Sequence, residues 1–259
     1  PGLRAGDREG HLSSNQASDP ARRAADRLVW RNRIMTEDPY AIWVSYVDAH
    51  DGTILWRTNE VCYADLHGTT RGMVEDFGYC YREEDRPMPH LLVNLGEGGV
   101  TWSDEEGVFS RPYDGDDPVT VTAGLLGSWV NVRNMMGPNA QFTGVFSPND
   151  PIEILWTDAN AHDAERDVYL HANRTHDLIK LYDPEFGYPD YSMPANVNIA
   201  ASCNAFWDGN SINFYRASGG CGNTGQMGDV IYHEYGHGLT QWIYGDNPDD
   251  VGEGNSDVL

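Results

Sequence analysis

Basic residues are scarce in this chain: 17 Lys and Arg stand against 40 Asp and Glu, a formal charge of -23 over 259 residues. Nucleic acid and anionic membrane surfaces would be repelled, so neither is expected as a partner, whereas cations are favoured. No run of some twenty apolar residues occurs, which argues against a membrane-spanning helix. The opening PGLRAGDREG lacks the methionine, basic stretch and apolar stretch of a signal peptide, so the expectation is that any such peptide has been removed. The glycine cluster GEGG at 96–99 is followed by neither GK[ST] nor a helix signal, and it reads as a turn rather than a phosphate loop. No EF-hand pattern and no solenoid repeat is found.

Cysteine is also sparse, at four residues. Cys62 and Cys80, and Cys203 and Cys221, form two pairs without the close spacing of a zinc ribbon, so local disulfides Cys62–Cys80 and Cys203–Cys221 are the simple reading. Four cysteines formally permit three connectivities. The even count suits an oxidising compartment, secreted or periplasmic.

Residues 1–20 are polar and without periodicity, a flexible lead-in. DPARRAADRLVWRNRIM, from Asp19, reads as a short helix with Asp19 as cap and Pro20 at its first position. YAIWVSYVDAHDGTILWRTNEV reads as a hairpin turning at Asp51 and Gly52. From 61 to 155, β-branched and aromatic runs broken by Gly, Pro and Asp suggest a small β-sandwich or stacked hairpins. A long helix is expected after 158, with Ala164, Val168, Leu170, His171, Leu178 and Leu181 at helical intervals until Pro184. Two strands around Asp208-Gly209-Asn210 and a helix in MGDVIYHEYGHGLTQWIYG follow. The fold class is therefore α+β, with segments 1–60, 61–155 and 156–259 as the expected divisions.

The last helix carries HEYGH. Positions i and i+4 share a helix face, so His233 and His237 can offer imidazoles to one tetrahedral zinc ion. Glu234 is rotated from His233 by roughly 100°, beside the ion rather than on it, where it can act as general base towards zinc-activated water. Catalytic zinc takes three protein ligands, and Glu253, sixteen residues after His237, is the candidate third. Asp257 follows by one turn and is suited to hold a zinc histidine by its other nitrogen. The chain's own His and Glu content would produce HExxH by chance in roughly two of a hundred such sequences, so it is the added ExxxD segment that makes the signal specific.

HEYGHGLTQWIYG followed by GEGNSD resembles the gluzincin zinc metallopeptidases, in particular the thermolysin and fungalysin families, fungalysin most of all. The resemblance implies His233, His237 and Glu253 as zinc ligands, Glu234 as base and Asp257 as the carboxylate behind a ligand. CNAFWDGNSINFY is similar to the edge strand with which those enzymes pair substrate backbone, which implies Asn204 and Ala205 as substrate-binding positions. WVSYVDAHDGTILWRTNEV resembles the end of the propeptide domains of such zymogens, and TWSDEEGVF to SWVNVRN a prealbumin-like β-module. The implied layout is a propeptide-like α/β fragment, a β-rich module, and the N-terminal lobe of a thermolysin-like peptidase with its zinc-binding helix.

The implied activity is a secreted zinc metalloendopeptidase acting on peptide or protein substrates, with its own propeptide and a helical C-terminal lobe as partners. That lobe, which supplies an oxyanion-binding histidine in the family, has no counterpart up to Leu259, and the family's transition-state tyrosine has only Tyr244 as a guess. The expectation is that this segment alone is weak or inactive, since losing one oxyanion donor costs about 2.7 to 4 kcal/mol. The competing reading is a non-catalytic secreted binding or adhesion module that keeps a peptidase-like zinc lobe; retention of Glu234 favours the enzyme. YGDNPDD is a candidate for Ca2+, with a solvated charge run as the equal alternative. His171, His176 and Asp177 could pass for a second metal site, but histidines fixed by hydrogen bonds are the favoured reading. The sequon at Asn173 falls mid-helix and is discounted for glycosylation.

Overall fold

A computed structural model describes residues 2–4, 27–37, 40–59, 64–76, 81–245 and 251–258. The chain divides into two units, Pro1–Tyr63 and Ala64–Leu259.

The first unit is a four-stranded antiparallel sheet in the order β1-β2-β3-β4, with β1 Gly2–Arg4, β2 Leu28–Glu37, β3 Tyr40–Asp48 and β4 Ile54–Asn59. The expected hairpin is present, with Gly52 at φ 76° in the turn between β3 and β4. Over the described part of its expected span, from Arg27 to Met35, the expected helix is not. Asp19 and Pro20 lie outside the described residues, and Leu28–Glu37 is a strand paired with β3 from Val29↔Asp48 to Glu37↔Tyr40. Nine consecutive cross-strand pairs outweigh a helical propensity that rested on the arginine- and alanine-rich stretch before it.

The second unit holds two sheets and the described helices. One sheet has the order β15-β16-β14-β11-β10-β7-β8, with β12 also on β10. Its strands are β7 Leu91–Asn94, β8 Val100–Trp102, β10 Val119–Gly127, β11 Val130–Asn134, β12 Phe142–Phe146, β14 Met193–Ile199, β15 Ala205–Trp207 and β16 Ile212–Tyr215. The other has β13 Pro151–Trp156, β5 Ala64–Val74 and β6 Glu84–Pro87 in that order, with β9 Val108–Tyr113 also on β5. β10 shows how the sequence selects this structure: Val119, Val121, Ala123, Leu125 and Gly127 point inward and alternate with more exposed residues, the period of two that a half-buried strand requires.

The division expected near residue 155 is absent. β11 pairs in parallel with β14, and residues from before and after that point, Val130 and Val197 among them, share one core. The region 61–155 is accordingly not a self-contained sandwich. Gly96–Gly98 form a short turn of 3-10 helix, as expected of GEGG.

Helix α1, Asp163–Tyr182, packs on β5, β10, β11 and β14 and against the later helix α2, Gly228–Tyr244. His162 caps it, its Nδ1 accepting from the Ala164 N–H while Glu165 bonds back to the His162 N–H. Its first three turns are buried on nearly every side although they carry Glu165, Arg166, Asp167 and His171. Each is held by hydrogen bonds: Glu165 accepts from Ala140 N at 2.8 Å, Arg166 donates to the carbonyls of Met73 and Ala161, and Asp167 accepts from Glu75 N at 2.9 Å.

Candidate metal centre and active site

The site lies where α2, the short helix α3 Val251–Ser256 and the edge strand β15 meet. The helices α1 and α2 approach closely enough that a Cβ at Gly228 would stand 3.2 Å from the His171 ring, a tight contact that glycine avoids. His171 Nδ1 in turn lies 2.6 Å from the Tyr232 hydroxyl, which fixes the residue immediately before His233. At the other end α2 closes on Gly245 at φ 89°, a conformation glycine adopts without strain.

His233 and His237, one turn apart on α2, hold their rings 4.6 Å apart at 89°. His233 Nε2 is 3.2 Å from Glu253 Oε2 and His237 Nε2 is 3.7 Å from Glu253 Oε1. One donor atom from each of the three residues lies within 4.8 Å of the other two. Zinc bonds of about 2.0 to 2.1 Å in a tetrahedron place neighbouring ligand atoms about 3.4 Å apart, and the two observed separations bracket that value.

The other ring nitrogens determine what the space between these groups can hold. His233 Nδ1 is 2.8 Å from Asp257 Oδ1, and a carboxylate only accepts, so this nitrogen carries the hydrogen. His237 Nδ1 is 3.1 Å from Ser256 Oγ, whose own hydrogen goes to the Gly252 carbonyl at 2.8 Å, so here too the ring donates. With each ring in its neutral form, a bare Nε2 lone pair turns towards the Glu253 carboxylate. In that form acceptors converge with no donor among them, an arrangement that a cation satisfies. Burial holds His237 below the ordinary imidazole range, against the pull of Glu253.

Glu234 sits on the adjacent flank of α2 and is 5% exposed. Burial pushes its carboxyl up to about 7, with His233 and a hydrogen bond from the Trp207 backbone pulling the other way. Its Oε2 has no hydrogen-bond partner among the described residues. Both Glu234 and His233 line a cleft of about 550 Å³ whose opposite wall is Cys203, Asn204 and Ala205.

β15 is the last strand of its sheet, as the edge-strand resemblance implied. It is tied to α2 by Trp207, whose Nε1 donates to Gln241 Oε1 and whose indole lies 3.4 Å from the Cβ position of Gly238. Asn204 and Ala205 both stand in the cleft wall, although the Asn204 carbonyl already accepts from Thr224 Oγ1 at 3.0 Å. Cys203, which lines the cleft, forms a disulfide with Cys221. Cys62 and Cys80 lie outside the described residues, as do residues 246–250 of the acidic loop considered for calcium. Comparison with protein-family models and with curated proteins gives no match.

Sequence reasoning missed Ser256, Thr224, Asp229 and Tyr232. Ser256 had a signal, a hydroxyl between the candidate ligand Glu253 and Asp257 on the same short helix. The others become cleft residues only through tertiary packing. Tyr244 is exposed at the last position of α2 and does not line the cleft.

His171, His176 and Asp177 do not converge on one point. His176 stacks on Trp129 at 4.0 Å and lies between Asp190 and Asp177, which also accepts from His90, whereas His171 bonds Tyr232. Asn173 is fully buried, its side chain donating to the Tyr169 carbonyl, as discounting the sequon required. A second acidic group, Glu83, Asp158 and Asp163, already surrounds a cation of the chain itself, the Arg166 guanidinium. No described helix is long and apolar enough to cross a membrane.

Proposed function

We propose that this chain carries the zinc-binding part of a secreted metalloendopeptidase, a gluzincin of the thermolysin or fungalysin kind, hydrolysing peptide bonds with Glu234 as general base. The observation that carries the reading is the convergence of two Nε2 lone pairs and the Glu253 carboxylate beside a buried, unpartnered Glu234 oxygen. His233, His237 and Glu253 would hold the zinc, with Asp257 and Ser256 fixing the two histidines. Bound zinc supplies Lewis acidity and brings the pKa of water towards about 7.

The chain's own groups do the rest. β15 offers a strand edge along which an extended peptide lies, and Asn204 and Ala205 line its approach to the metal. Glu234 takes a proton from the attacking water and passes it to the departing amine, which suits a carboxyl whose affinity for protons has been raised by burial. A purely binding module would gain nothing from burying an unpaired carboxylate oxygen, which costs stability. The disulfide supports the extracellular part of the reading. The four-stranded sheet of the first unit is compatible with a propeptide-like segment.

The test uses the whole polypeptide loaded with zinc. Glu234→Gln should retain one zinc per chain and lose about 10² to 10⁴ of chelator-sensitive peptide cleavage, the usual contribution of a general acid or base. Unchanged turnover in that variant would remove the mechanism.

A further inference from the structure

Among the carboxylates around the cleft, Glu234, Glu253 and Asp257 have places in the metal site, but Asp229 does not. It lies one turn before His233 on the same face of α2, exposed, in the cleft wall. No ion pair or hydrogen bond engages its side chain among the described residues. The cleft has a direction. Trp207, Gln241 and Gly238 bring the far end of β15 to the later turns of α2, whereas Cys203 and Asn204 share the cleft with Asp229 and Val230 of the first turn. At 1.5 Å per residue, Asp229 stands about 6 Å along the helix axis from His233. An extended peptide advances about 3.3 Å per residue, so a group about two residues from the reacting bond would lie over it. No Lys or Arg lines the cleft, and the chain as a whole bears a charge of -23. The buried, unpartnered Glu234 oxygen in the same cleft is the independent sign that a ligand is received here.

We infer that Asp229 selects substrates bearing an ammonium or guanidinium group within about two residues of the cleaved bond. The inference rests on the peptidase reading and adds a substrate class to it. A Lys or Arg side chain and a free α-amino group offer the same chemistry, and they are separated by capping the peptide.

The experiment compares acetyl-capped peptides carrying Lys, Gln or Glu at each of three positions on either side of the cleaved bond, with uncapped counterparts, using the zinc-loaded whole polypeptide. Lys should exceed Gln in kcat/KM by roughly fivefold at one position, the attraction of one exposed pair across about 4 Å of water, and Glu should fall below Gln. Raising salt to 1 M should shrink the Lys to Glu ratio, because exposed charges are then screened within about 3 Å. Asp229→Asn should bring the Lys to Gln ratio to near one, and Asp229→Lys should invert the Lys to Glu order. A preference seen only in uncapped peptides assigns the cation to the α-amino group. A ratio that survives Asp229→Asn, or the absence of any Lys over Glu order in the parent protein, overturns the assignment. Binding of fluorescent Lys and Glu peptides to Glu234→Gln, with and without Asp229→Asn, decides the same question without turnover. If no peptide is cleaved while the binding preference holds, the peptidase reading fails and the cation subsite stands.

Discussion

Removing one hydroxyl, in Ser256→Ala, probes the proposed metal site at a point where the structure leaves little slack. Ser256 is 1% exposed and its Oγ both accepts from His237 Nδ1 and donates to Gly252 O. Without it, His237 keeps its Nδ1 hydrogen without its partner in a half-buried position, or moves the hydrogen to Nε2, where it faces Glu253 Oε1 at 3.7 Å. The first outcome costs about 1 to 3 kcal/mol for an unsatisfied buried donor. The second places a hydrogen on the atom proposed to bind the ion, and metal binding would then have to reverse it. Either way the metal-bound form loses on the order of 1 to 1.5 kcal/mol, about tenfold in zinc affinity, at the lower end of what is lost with partners of metal ligands. Competition with a chromophoric chelator measures the affinity, and ring-nitrogen NMR shifts of the metal-free protein report the tautomer. The parent should show His237 with hydrogen on Nδ1 and Ser256→Ala a shift towards Nε2, with Ser256→Thr restoring both readouts. If Ser256→Ala binds zinc as tightly as the parent and His237 still shows the Nδ1 tautomer, the reasoning about the converging lone pairs is wrong.

Three further outcomes follow from other parts of the fold. Replacing both Cys203 and Cys221 by Ala opens a loop with a sequence separation of 18, and should lower unfolding free energy by about 3 kcal/mol in denaturant titrations; an unchanged midpoint would show that the bridge contributes nothing. Gly68→Ala should destabilise the second unit by roughly 1 to 3 kcal/mol, because the new Cβ would stand 2.0 Å from the Ile152 carbonyl oxygen of the paired strand; native stability in that variant would contradict the β5–β13 register. Burial pushes Asp167 up to about 8, whereas the unfolded chain ionises it near 3.9, so the folded state holds the extra proton and loses stability as pH rises through that window. Asp167→Asn, which keeps an acceptor for Glu75 N–H, should therefore gain on the parent by roughly 4 kcal/mol between pH 4 and 7 in urea titrations; a difference that does not grow with pH would refute it.

The site was more legible in the sequence than the fold around it. HEYGH fixes two side chains on one face by helix geometry alone, and the return to Glu253 and Asp257 is short, so local rules sufficed to name the residues that the structure brings together. The α1 pattern and the turn at Gly52 were legible for the same reason, each being set within a few residues. What the sequence hid was non-local. The parallel pairings β11 with β14 and β5 with β13 join segments some sixty to eighty residues apart, and no periodicity encodes them. Leu28–Glu37 reads as helix from its flank and becomes strand because β3 supplies a partner. Ser256, Thr224 and Tyr232 lack a motif of their own and acquire roles only from what packs against them.

The burial of so many polar groups along α1 connects these two levels. A helix of this length surrounded on its first three turns could have been lined with Leu and Ala, which would pack without needing specific partners. Instead Arg166 reaches the carbonyls of Met73 and Ala161, Asp167 the N–H of Glu75, Glu165 the N–H of Ala140, and His171 the hydroxyl of Tyr232. Those contacts fix the end of β5, the loop before β12 and the second turn of α2 in position and angle, which apolar contact constrains less tightly. His171 is neutral at physiological pH, burial lowering it to about 4, and its Nε2 faces the Glu75 carbonyl at 3.4 Å. Its Nδ1 is then the acceptor for the Tyr232 hydroxyl, so the residue preceding His233 is held by a directional bond to a helix that is itself pinned to the sheets. The rotation of α2, and with it the aim of His233 and Glu234 into the cleft, is thereby set by polar chemistry three helical turns deep in the core rather than by the candidate site alone.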